Sequence, residues 1–228
     1  MTLTPEQEAE LQRLLARRLS GEPLQYILGE WSFMGLDFYV NPYALIPRQD
    51  TETLVEKALE LAEKLELRTA LDVCTGTGCI AVSLKKLGRF TRVAASDISY
   101  ECMALAGENA RRSGVDIELY VRDLLEGHGS YDLITANPPY IADAELPLLQ
   151  EEVRHEPRLA LSGGADGLDF YRRIAQSYKE HLSPGGVLLM EVGAGQAASV
   201  AELFAGCETE LVRDINGIER VVTVRRRA

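Results

Sequence analysis

From residue 69 onward, short apolar segments alternate with amphipathic segments of helical length. The apolar segments predict strands at 69–74, 91–97, 117–122, 131–136, 185–192, 209–215 and 219–225. The segments between them predict helices at 77–87, 99–113, 143–152, 168–182 and 195–205. Strands that alternate with helices form βαβ units, whose strands are parallel and whose sheet is covered on both faces. Only Asn216-Gly217 separates the last two predicted strands, so this pair is expected to form an antiparallel hairpin.

The first 48 residues follow a different pattern from the rest of the chain. Leucines on one helical face predict an amphipathic helix, and aromatic and β-branched residues around Met34-Gly35 predict a β-hairpin. These elements are a helix at 4–19, hairpin strands at 26–33 and 36–40, and a connector at 41–48. A further helix is expected from about Asp50 to Leu65. We therefore divide the chain into a short N-terminal region, residues 1–48, and an α/β domain, residues 49–228.

Several conspicuous residues in this part of the chain have a structural explanation. We expect Trp31, Phe33 and Phe38 to form the core of the hairpin rather than a platform for a substrate. We expect Arg48 and Glu52 to form an ion pair at the start of the following helix.

The composition disfavours several classes of protein. The net charge of −11 argues against a large nucleic-acid footprint, because proteins that grip long nucleic acids usually carry a basic face. No stretch approaches about 18 consecutive apolar residues, and the charged N-terminus does not resemble a signal peptide. We therefore expect a cytoplasmic protein with no membrane association and no stable nucleic acid binding. Four cysteines without a C-x-x-C pair and three scattered histidines predict no metal site.

A glycine-rich turn follows the first predicted strand of the α/β domain. The sequence Cys74-Thr75-Gly76-Thr77-Gly78 leads from that strand into the next helix. Glycines at such a turn let a ligand approach the backbone, although tight strand–helix turns also use glycine for geometry alone. Alanine at position 81 replaces the third glycine of a dinucleotide-binding fingerprint, and the sequence contains no G-K-[ST] of a phosphate-binding P-loop.

Two acidic residues follow the next two strands at the same edge of the sheet. Asp97 lies about 20 residues after the glycine turn, a position that suits hydrogen bonds to ribose hydroxyls. Asp123, followed by Leu124, ends the third strand and could accept a hydrogen bond from an adenine amino group. A helix cap and a turn residue are the alternatives for these two acids. Because these strand ends meet near the switch point of an open α/β sheet, the combination favours an adenosine-bearing ligand over a dinucleotide.

The fourth strand ends in Asn137-Pro138-Pro139-Tyr140. Proline lacks an N–H and cannot continue a central strand, so the prolines stop the strand beside the same crevice. The Asn137 side-chain oxygen and the Pro138 carbonyl are two acceptors, which suit the two hydrogens of a planar NH₂ group. Tyr140 offers a flat face for packing against that group. A rigid strand-ending turn is the alternative explanation.

The tetrapeptide resembles the N-P-P-Y motif of S-adenosylmethionine-dependent methyltransferases that act on amide or exocyclic amino nitrogens. Further segments resemble one family in particular, the peptide-chain release factor glutamine methyltransferases. They are Gly21-Glu22-Pro23 with Tyr26-Ile27, the stretch LIPRQDTE at 45–52, Glu156-Pro157-x-Leu159-Ala160-Leu161, and the stretch GGADGLDFY at 163–171. The resemblance extends over essentially the whole chain. It implies a Rossmann-like class I methyltransferase fold, in which a seven-stranded, mostly parallel sheet has an antiparallel last strand.

The resemblance also implies an activity and a site. The enzyme would transfer a methyl group from S-adenosylmethionine to the side-chain amide nitrogen of the glutamine in the Gly-Gly-Gln motif of class 1 release factors, leaving S-adenosylhomocysteine. The cofactor site would include Cys74, Thr75, Gly76, Thr77, Gly78, Asp97, Leu124 and Asn137, to which the strand-end pattern adds Asp123. The glutamine would be held by Asn137, Pro138, Pro139 and Tyr140, of which Asn137, Pro138 and Tyr140 are the expected catalytic residues.

This chain departs from the family pattern in three places. The family usually has proline where Gln49 stands and glycine where Cys74 stands. Family members also usually carry a longer helical domain before the hairpin, so residues 1–48 resemble a truncated substrate-docking domain.

Two other functions remain open from the sequence. A methyltransferase for an amino group of a nucleic-acid base, rRNA guanine or DNA adenine, would share residues 137–140. Such an enzyme should add a basic surface or a recognition domain, and neither is evident in the sequence. A degenerate Rossmann-like interaction module is the non-enzymatic possibility, and it would fail to bind S-adenosylmethionine.

Overall fold

A seven-stranded sheet runs through residues 3–226, the part of the chain that a computed structural model of the protein describes. Two short strands, β1 (Glu30–Phe33) and β2 (Leu36–Tyr39), form a separate antiparallel hairpin. The strands of the large sheet are β3 (Thr69–Val73), β4 (Arg92–Asp97), β5 (Glu118–Val121), β6 (Tyr131–Ala136), β7 (Leu182–Glu191), β8 (Glu208–Arg213) and β9 (Glu219–Arg225). Their order is β5-β4-β3-β6-β7-β9-β8.

Only one strand of the large sheet runs against the others. β9 pairs antiparallel with both of its neighbours, β7 and β8, whereas the pairs from β5 to β7 are all parallel. The mostly parallel sheet with an antiparallel last strand is therefore confirmed. The turn between β8 and β9 includes Asn216 and Gly217, and Gly217 has a left-handed φ of 78°.

Within residues 3–226, seven α-helices cover the sheet or precede it. They are α1 (Pro5–Leu19), α2 (Leu24–Leu28), α3 (Gln49–Lys64), α4 (Cys79–Leu87), α5 (Tyr100–Ser113), α6 (Asp169–His181) and α7 (Ala197–Glu202). Thr4 begins α1 with a reciprocal pair of hydrogen bonds to Gln7, which satisfies backbone donors at the helix start.

Among the described residues, the helices are all too short or too polar to cross a membrane.

The core consists of one apolar layer on each face of the sheet. On one face Leu54 of α3 and Leu84 of α4 pack with the hairpin residues Phe33 and Phe38, all of them almost fully buried. On the other face Tyr171 of α6 belongs to a second layer, which also contains residues from the central strands. The hairpin is thus joined to the α/β domain by shared apolar packing. Trp31 lies outside this core, with 36% of its surface exposed.

One predicted helix, at 143–152, is wrong. The chain from 146 to 160 instead forms three single-turn 3₁₀ helices, Leu146–Leu148, Val153–His155 and Arg158–Ala160. Pro147 lies inside the first turn and cannot donate a helical hydrogen bond. Leu148 is 82% exposed, so the segment lacks the buried apolar face that stabilises a longer helix.

The first hairpin strand is also shorter than predicted, because residues 24–28 form α2 rather than strand. The buried side chain of Tyr26 donates a hydrogen bond of 2.8 Å to the Ala44 carbonyl and packs with Val40 and Ile46. This contact orients Tyr26 towards the connector rather than towards a strand partner.

The expected ion pair between Arg48 and Glu52 is wrong. Arg48 pairs with the buried carboxylate of Glu156, which also accepts the N–H of Ile46 at 3.0 Å. Glu52 accepts the N–H of Met34 at 2.6 Å. The connector is therefore fastened to the segment of 3₁₀ turns, more than a hundred residues away in sequence, and this contact forms one side of the cleft described below.

Candidate functional site

A cleft with about 1100 Å³ of open space, its mouth included, lies at the carboxyl ends of the central strands. The strand order reverses direction at this place, because β4 follows β3 on one side and β6 lies on the other. Open α/β sheets bind ligands at such switch points. Nine of the predicted site residues line the cleft: Cys74, Thr75, Gly76, Thr77, Asp97, Asp123, Leu124, Asn137 and Pro139. Gly78, Pro138 and Tyr140 lie beside it rather than on its lining.

The glycine turn bends sharply between β3 and α4. Cys74, Gly76 and Gly78 all have left-handed φ angles, of 56°, 53° and 79°. At Gly78 a side chain would also collide with α5, since a Cβ atom there would lie 2.8 Å from the Cβ of Ala106. The structure thus uses Gly78 for close packing of α4 against α5, while Gly76 faces the cleft.

A buried carboxylate lies beneath this turn. Asp72 accepts hydrogen bonds from the hydroxyls of Thr75 at 2.5 Å and of Thr135 at 2.8 Å. Burial raises the pKa of Asp72 to about 7, although both hydroxyls oppose that effect. Asp72 thereby connects the turn after β3 with the neighbouring strand β6.

Asp97 at the end of β4 holds the glycine turn and also faces the cleft. Its Oδ2 accepts the N–H of Gly76 and its Oδ1 accepts the N–H of Ser99, each at 3.0 Å. Burial raises the pKa of Asp97, and these backbone bonds oppose that effect. Because each carboxylate oxygen can accept a second hydrogen bond, Asp97 retains capacity for ligand hydroxyls.

Asp123 lies on the cleft lining but already has a partner. Arg173 of α6 bonds Asp123 Oδ2 at 2.7 Å, and both side chains face the cleft. The neighbouring Leu124 is buried and has a left-handed φ of 49°. The remaining oxygen of Asp123 and the backbone around it are the groups available to an adenine amino group.

Asn137 and Thr51 form a polar contact on the lining of the cleft. The Asn137 amide nitrogen donates to the Thr51 hydroxyl oxygen at 3.3 Å. No hydrogen bond within residues 3–226 uses Asn137 Oδ1 or the Pro138 carbonyl as acceptor. Two acceptors of the tetrapeptide therefore stay available for an N–H donor.

The rest of the tetrapeptide is fixed from behind. Gln196 donates to the Tyr140 carbonyl at 2.9 Å and accepts the Gly193 N–H at 2.9 Å. A Cβ atom on Gly163 would lie 2.8 Å from both the Pro139 carbonyl oxygen and the Tyr140 Cα. Burial raises the pKa of Tyr140 to about 12, so its phenol stays protonated and neutral at neutral pH. These contacts leave the tetrapeptide little freedom to move.

Several residues of the cleft were not predicted as site residues. Thr51 belongs to the stretch LIPRQDTE, but the sequence does not show that the start of α3 reaches Asn137 across the sheet. Arg173 and Phe170 on α6 line the cleft near Asp123, and Leu159 lines it from the 3₁₀ turns. Leu159 and Phe170 belong to stretches that resemble the family, and Arg173 lies two residues after one of them, but the sequence gives none of the three a place in the cleft.

The described residues contain no group of His, Cys, Asp and Glu side chains arranged to hold a metal ion.

Comparison with known proteins assigns the chain to a family. Residues 50–165 match the family model described as methyltransferase small domain, and residues 1–29 match the PrmC N-terminal domain. A release factor glutamine methyltransferase from Geobacter sulfurreducens is 48% identical over 226 residues, which cover 96% of this chain and 79% of that protein.

Solved structures agree on the fold. A ribosomal protein L11 methylase from Lactobacillus delbrueckii subsp. bulgaricus has a TM-score of 0.58 at 25% identity, covering 80% of this chain and 81% of that one. A 16S rRNA methyltransferase from T. thermophilus, in complex with AdoMet and guanosine, has a TM-score of 0.60 at 16% identity, covering 87% of this chain and 50% of that one. The fold is therefore that of the class I methyltransferases. With the cleft, the tetrapeptide and the sequence identity taken together, the chain belongs to the release factor glutamine methyltransferase family.

Proposed function

We propose that this protein transfers a methyl group from S-adenosylmethionine to the side-chain amide nitrogen of the glutamine in the Gly-Gly-Gln motif of class 1 peptide-chain release factors. The observation that carries the proposal is a pair of acceptors without partners among residues 3–226: Asn137 Oδ1 on the cleft lining and the Pro138 carbonyl beside it. A primary amide presents two N–H donors in one plane, which such a pair matches.

The residues of the cleft suit the cofactor. The cleft lies at the strand ends where open α/β sheets bind ligands, and both polar and apolar residues line it. Asp97 offers acceptors for ribose hydroxyls, and the buried Leu124 offers an apolar surface for an adenine ring. The turn from Cys74 to Gly78 would hold the part of the cofactor beyond its ribose and adenine. When bound, S-adenosylmethionine supplies a methyl group on a positively charged sulfur and leaves as S-adenosylhomocysteine.

The protein would promote the transfer chiefly by orientation. An amide nitrogen is a weak nucleophile, because its lone pair is delocalised into the carbonyl group. Hydrogen bonds from both of its N–H groups, to Asn137 Oδ1 and the Pro138 carbonyl, would fix the nitrogen in line with the methyl group. The same two oxygens would stabilise the positive charge that develops on the nitrogen.

The atoms balance without a base in the protein. A nitrogen–carbon bond forms as the carbon–sulfur bond breaks, the sulfur becomes neutral, and one proton leaves the methylated nitrogen for solvent. Tyr140, neutral because of its raised pKa, would pack beside the amide plane. We assign no general base.

We further propose that residues 1–48 contact the release factor. Helix α1 has no buried residue, and Leu11 and Leu15 on it are 42% and 44% exposed. A basic or apolar surface of the partner could cover this helix, which also carries acidic residues in its first turn. Because release factors act during translation, the reaction would take place in the cytoplasm.

A substrate comparison tests the proposed function. The protein is incubated with S-adenosylmethionine labelled in the methyl group, together with a class 1 release factor, DNA or rRNA. We expect label in the release factor alone. Label in DNA or rRNA but not in the release factor would replace the proposal with an amino-group methyltransferase for a nucleic-acid base. Failure to bind S-adenosylmethionine by calorimetry would instead favour a non-enzymatic module.

A further inference from the structure

One oxygen of a buried carboxylate behind the tetrapeptide has no hydrogen-bond partner among the described residues. Glu191 is the last residue of β7, and its side chain is 2% exposed. Its Oε2 has no hydrogen-bond partner within residues 3–226. Buried carboxylates are nearly always paired, because removing a charge from water is costly. A buried acid with one unsatisfied oxygen therefore calls for a functional explanation.

The sheet places Glu191 directly beside Asn137. Ala136 of β6 pairs in register with Met190 of β7, so the next residue on each strand, Asn137 and Glu191, lie side by side. Thr51, at the start of α3, faces both of them. The polar groups of Thr51 and Asn137 lower the pKa of Glu191 and so oppose the effect of its burial. The side chains of Glu191, Asn137 and Thr51 thus form one polar cluster beneath the cleft.

Arg220 lowers the pKa of Glu191 but forms its ion pairs with other carboxylates. Arg220 of β9 bonds Asp50 at 3.0 Å and Asp214 at 3.2 Å, and these two carboxylates occupy its guanidinium. Within residues 3–226 Glu191 therefore has no ion pair, and its Oε2 has spare capacity to accept a hydrogen bond.

We propose that Glu191 is a positioning residue, which holds the NH₂ end of the Asn137 amide on its own side and leaves Oδ1 turned towards the substrate. The two ends of an asparagine amide have almost the same shape, so packing alone does not choose between them. A carboxylate can only accept hydrogen bonds, so it attracts the NH₂ end and repels the oxygen. If the amide were reversed, the cleft would present a donor to the donors of the substrate amide. This inference rests on the proposed function and deepens it.

The orientation of the Asn137 amide should depend on pH. Burial raises the pKa of Glu191 to about 7, so the carboxylate is protonated in mildly acidic solution. A protonated carboxyl group can donate to Asn137 Oδ1 and would then favour the reversed amide. Two charged groups shift the pKa of Glu191: Arg220 of β9 lowers it and Asp50 of α3 raises it. The charge of Glu191 in turn raises the pKa values of Cys79 of α4, Tyr140 and Tyr171 of α6.

The Glu191→Gln variant tests the proposal, because glutamine has nearly the same shape but offers both donors and an acceptor. In a release factor assay above neutral pH, we expect kcat to fall by about tenfold or more, while the KM for S-adenosylmethionine changes by less than about threefold. Glu191→Asp keeps the acceptor-only chemistry and should recover part of the rate. Asp132→Asn is the matched control, since Asp132 lies near the start of the neighbouring strand β6, far from the cleft, where its carboxylate accepts the N–H groups of Arg68 and Thr69.

A second measurement does not depend on the substrate. The side-chain NH₂ resonances of Asn137, assigned by their loss in Asn137→Ser, should shift with an apparent pKa near 7 in the wild type and stay constant in Glu191→Gln. If the wild type methylates the release factor and Glu191→Gln matches its kcat within about twofold, the inference is overturned. If the wild type methylates nothing, the proposed function fails, and the resonances alone decide whether Glu191 controls the Asn137 amide. Resonances that do not respond to pH would overturn the inference in that case too.

Discussion

The amide nitrogen of Asn137 lies 3.3 Å from the hydroxyl oxygen of Thr51, across the junction between β6 and α3. This contact takes up one end of the asparagine amide and leaves Oδ1 without a partner among residues 3–226. The two prolines that follow keep their carbonyl groups out of the sheet, because β6 ends at Ala136. The site therefore orients its substrate by the number and direction of its hydrogen-bond acceptors, and no ionised group is proposed to touch the substrate.

Replacement of Asn137 by alanine should slow methyl transfer. The variant loses one of the two acceptors that orient the amide, and by analogy with the loss of one oxyanion-hole donor the rate should fall by about 10²–10³-fold, or about 2.7–4 kcal/mol. The measurement is the single-turnover rate at saturating S-adenosylmethionine. Asn216→Ala, in the turn between β8 and β9, is the control and should keep the wild-type rate. An unchanged rate in Asn137→Ala would remove the residue from the mechanism.

Gly163→Ala should damage the site more than the fold. The added methyl group would lie 2.8 Å from the Pro139 carbonyl oxygen and the Tyr140 Cα, and both are backbone atoms of the tetrapeptide. Crowding of this kind costs about 1–3 kcal/mol in stability, and it should lower kcat further by displacing the Pro138 carbonyl. Urea unfolding and kcat are measured together. Gly129→Ala is the matched control, because a Cβ atom at Gly129 meets nothing within 4 Å. Wild-type kcat in Gly163→Ala would contradict the tight packing described here.

The cysteine at position 74 can be tested by paired substitutions. Its φ of 56° lies in the left-handed region, where glycine is unstrained and a β-branched residue is strongly disfavoured. We expect Cys74→Gly to keep both stability and methyl transfer close to the wild type. Cys74→Val should lower the free energy of unfolding by about 1–2 kcal/mol or more, measured in urea. Equal stability of the two variants would mean that the turn relaxes around residue 74.

Glu191→Gln should alter the pH dependence of stability. A glutamate in the unfolded chain titrates near pH 4.3, whereas burial raises the pKa of Glu191 to about 7 in the folded protein. The folded state therefore holds its proton more tightly, and the wild type loses this contribution to stability as the pH rises from about 4.3 to about 7. Glutamine does not titrate. The difference in the free energy of unfolding, variant minus wild type, should rise with pH by an amount on the order of 3 kcal/mol and level off above about pH 7. A constant difference across this range would show that Glu191 has an ordinary pKa.

Local sequence patterns predicted the parts of the molecule that depend on local rules. The alternation of apolar strands and amphipathic helices predicted all seven strands of the large sheet, because each burial pattern follows from the period of its own segment. Parallel neighbouring strands end at the same edge of a sheet, so the predicted strands also placed Cys74 near Asn137. The structure confirms this, because Val73 and Ala136, the residues just before them, pair in register.

The features that the sequence did not predict depend on contacts between distant segments. The pairing of Arg48 with Glu156 and the contact of Asn137 with Thr51 each join residues that lie far apart in the chain. The wrong helix at 143–152 has a different cause: its leucines have helical spacing, but Leu148 points to solvent and Pro147 interrupts the hydrogen bonds. Spacing alone cannot show whether an apolar residue meets a core.

Mass spectrometry of the methylated product can locate the transferred methyl group. A class 1 release factor is incubated with the protein and S-adenosylmethionine, digested, and sequenced by tandem mass spectrometry. A release factor whose Gly-Gly-Gln glutamine is replaced by alanine serves as the control. We expect one added methyl group on the side-chain nitrogen of that glutamine, and none in the control. No methyl group on the intact release factor, or a methyl group on any residue other than that glutamine, would contradict it.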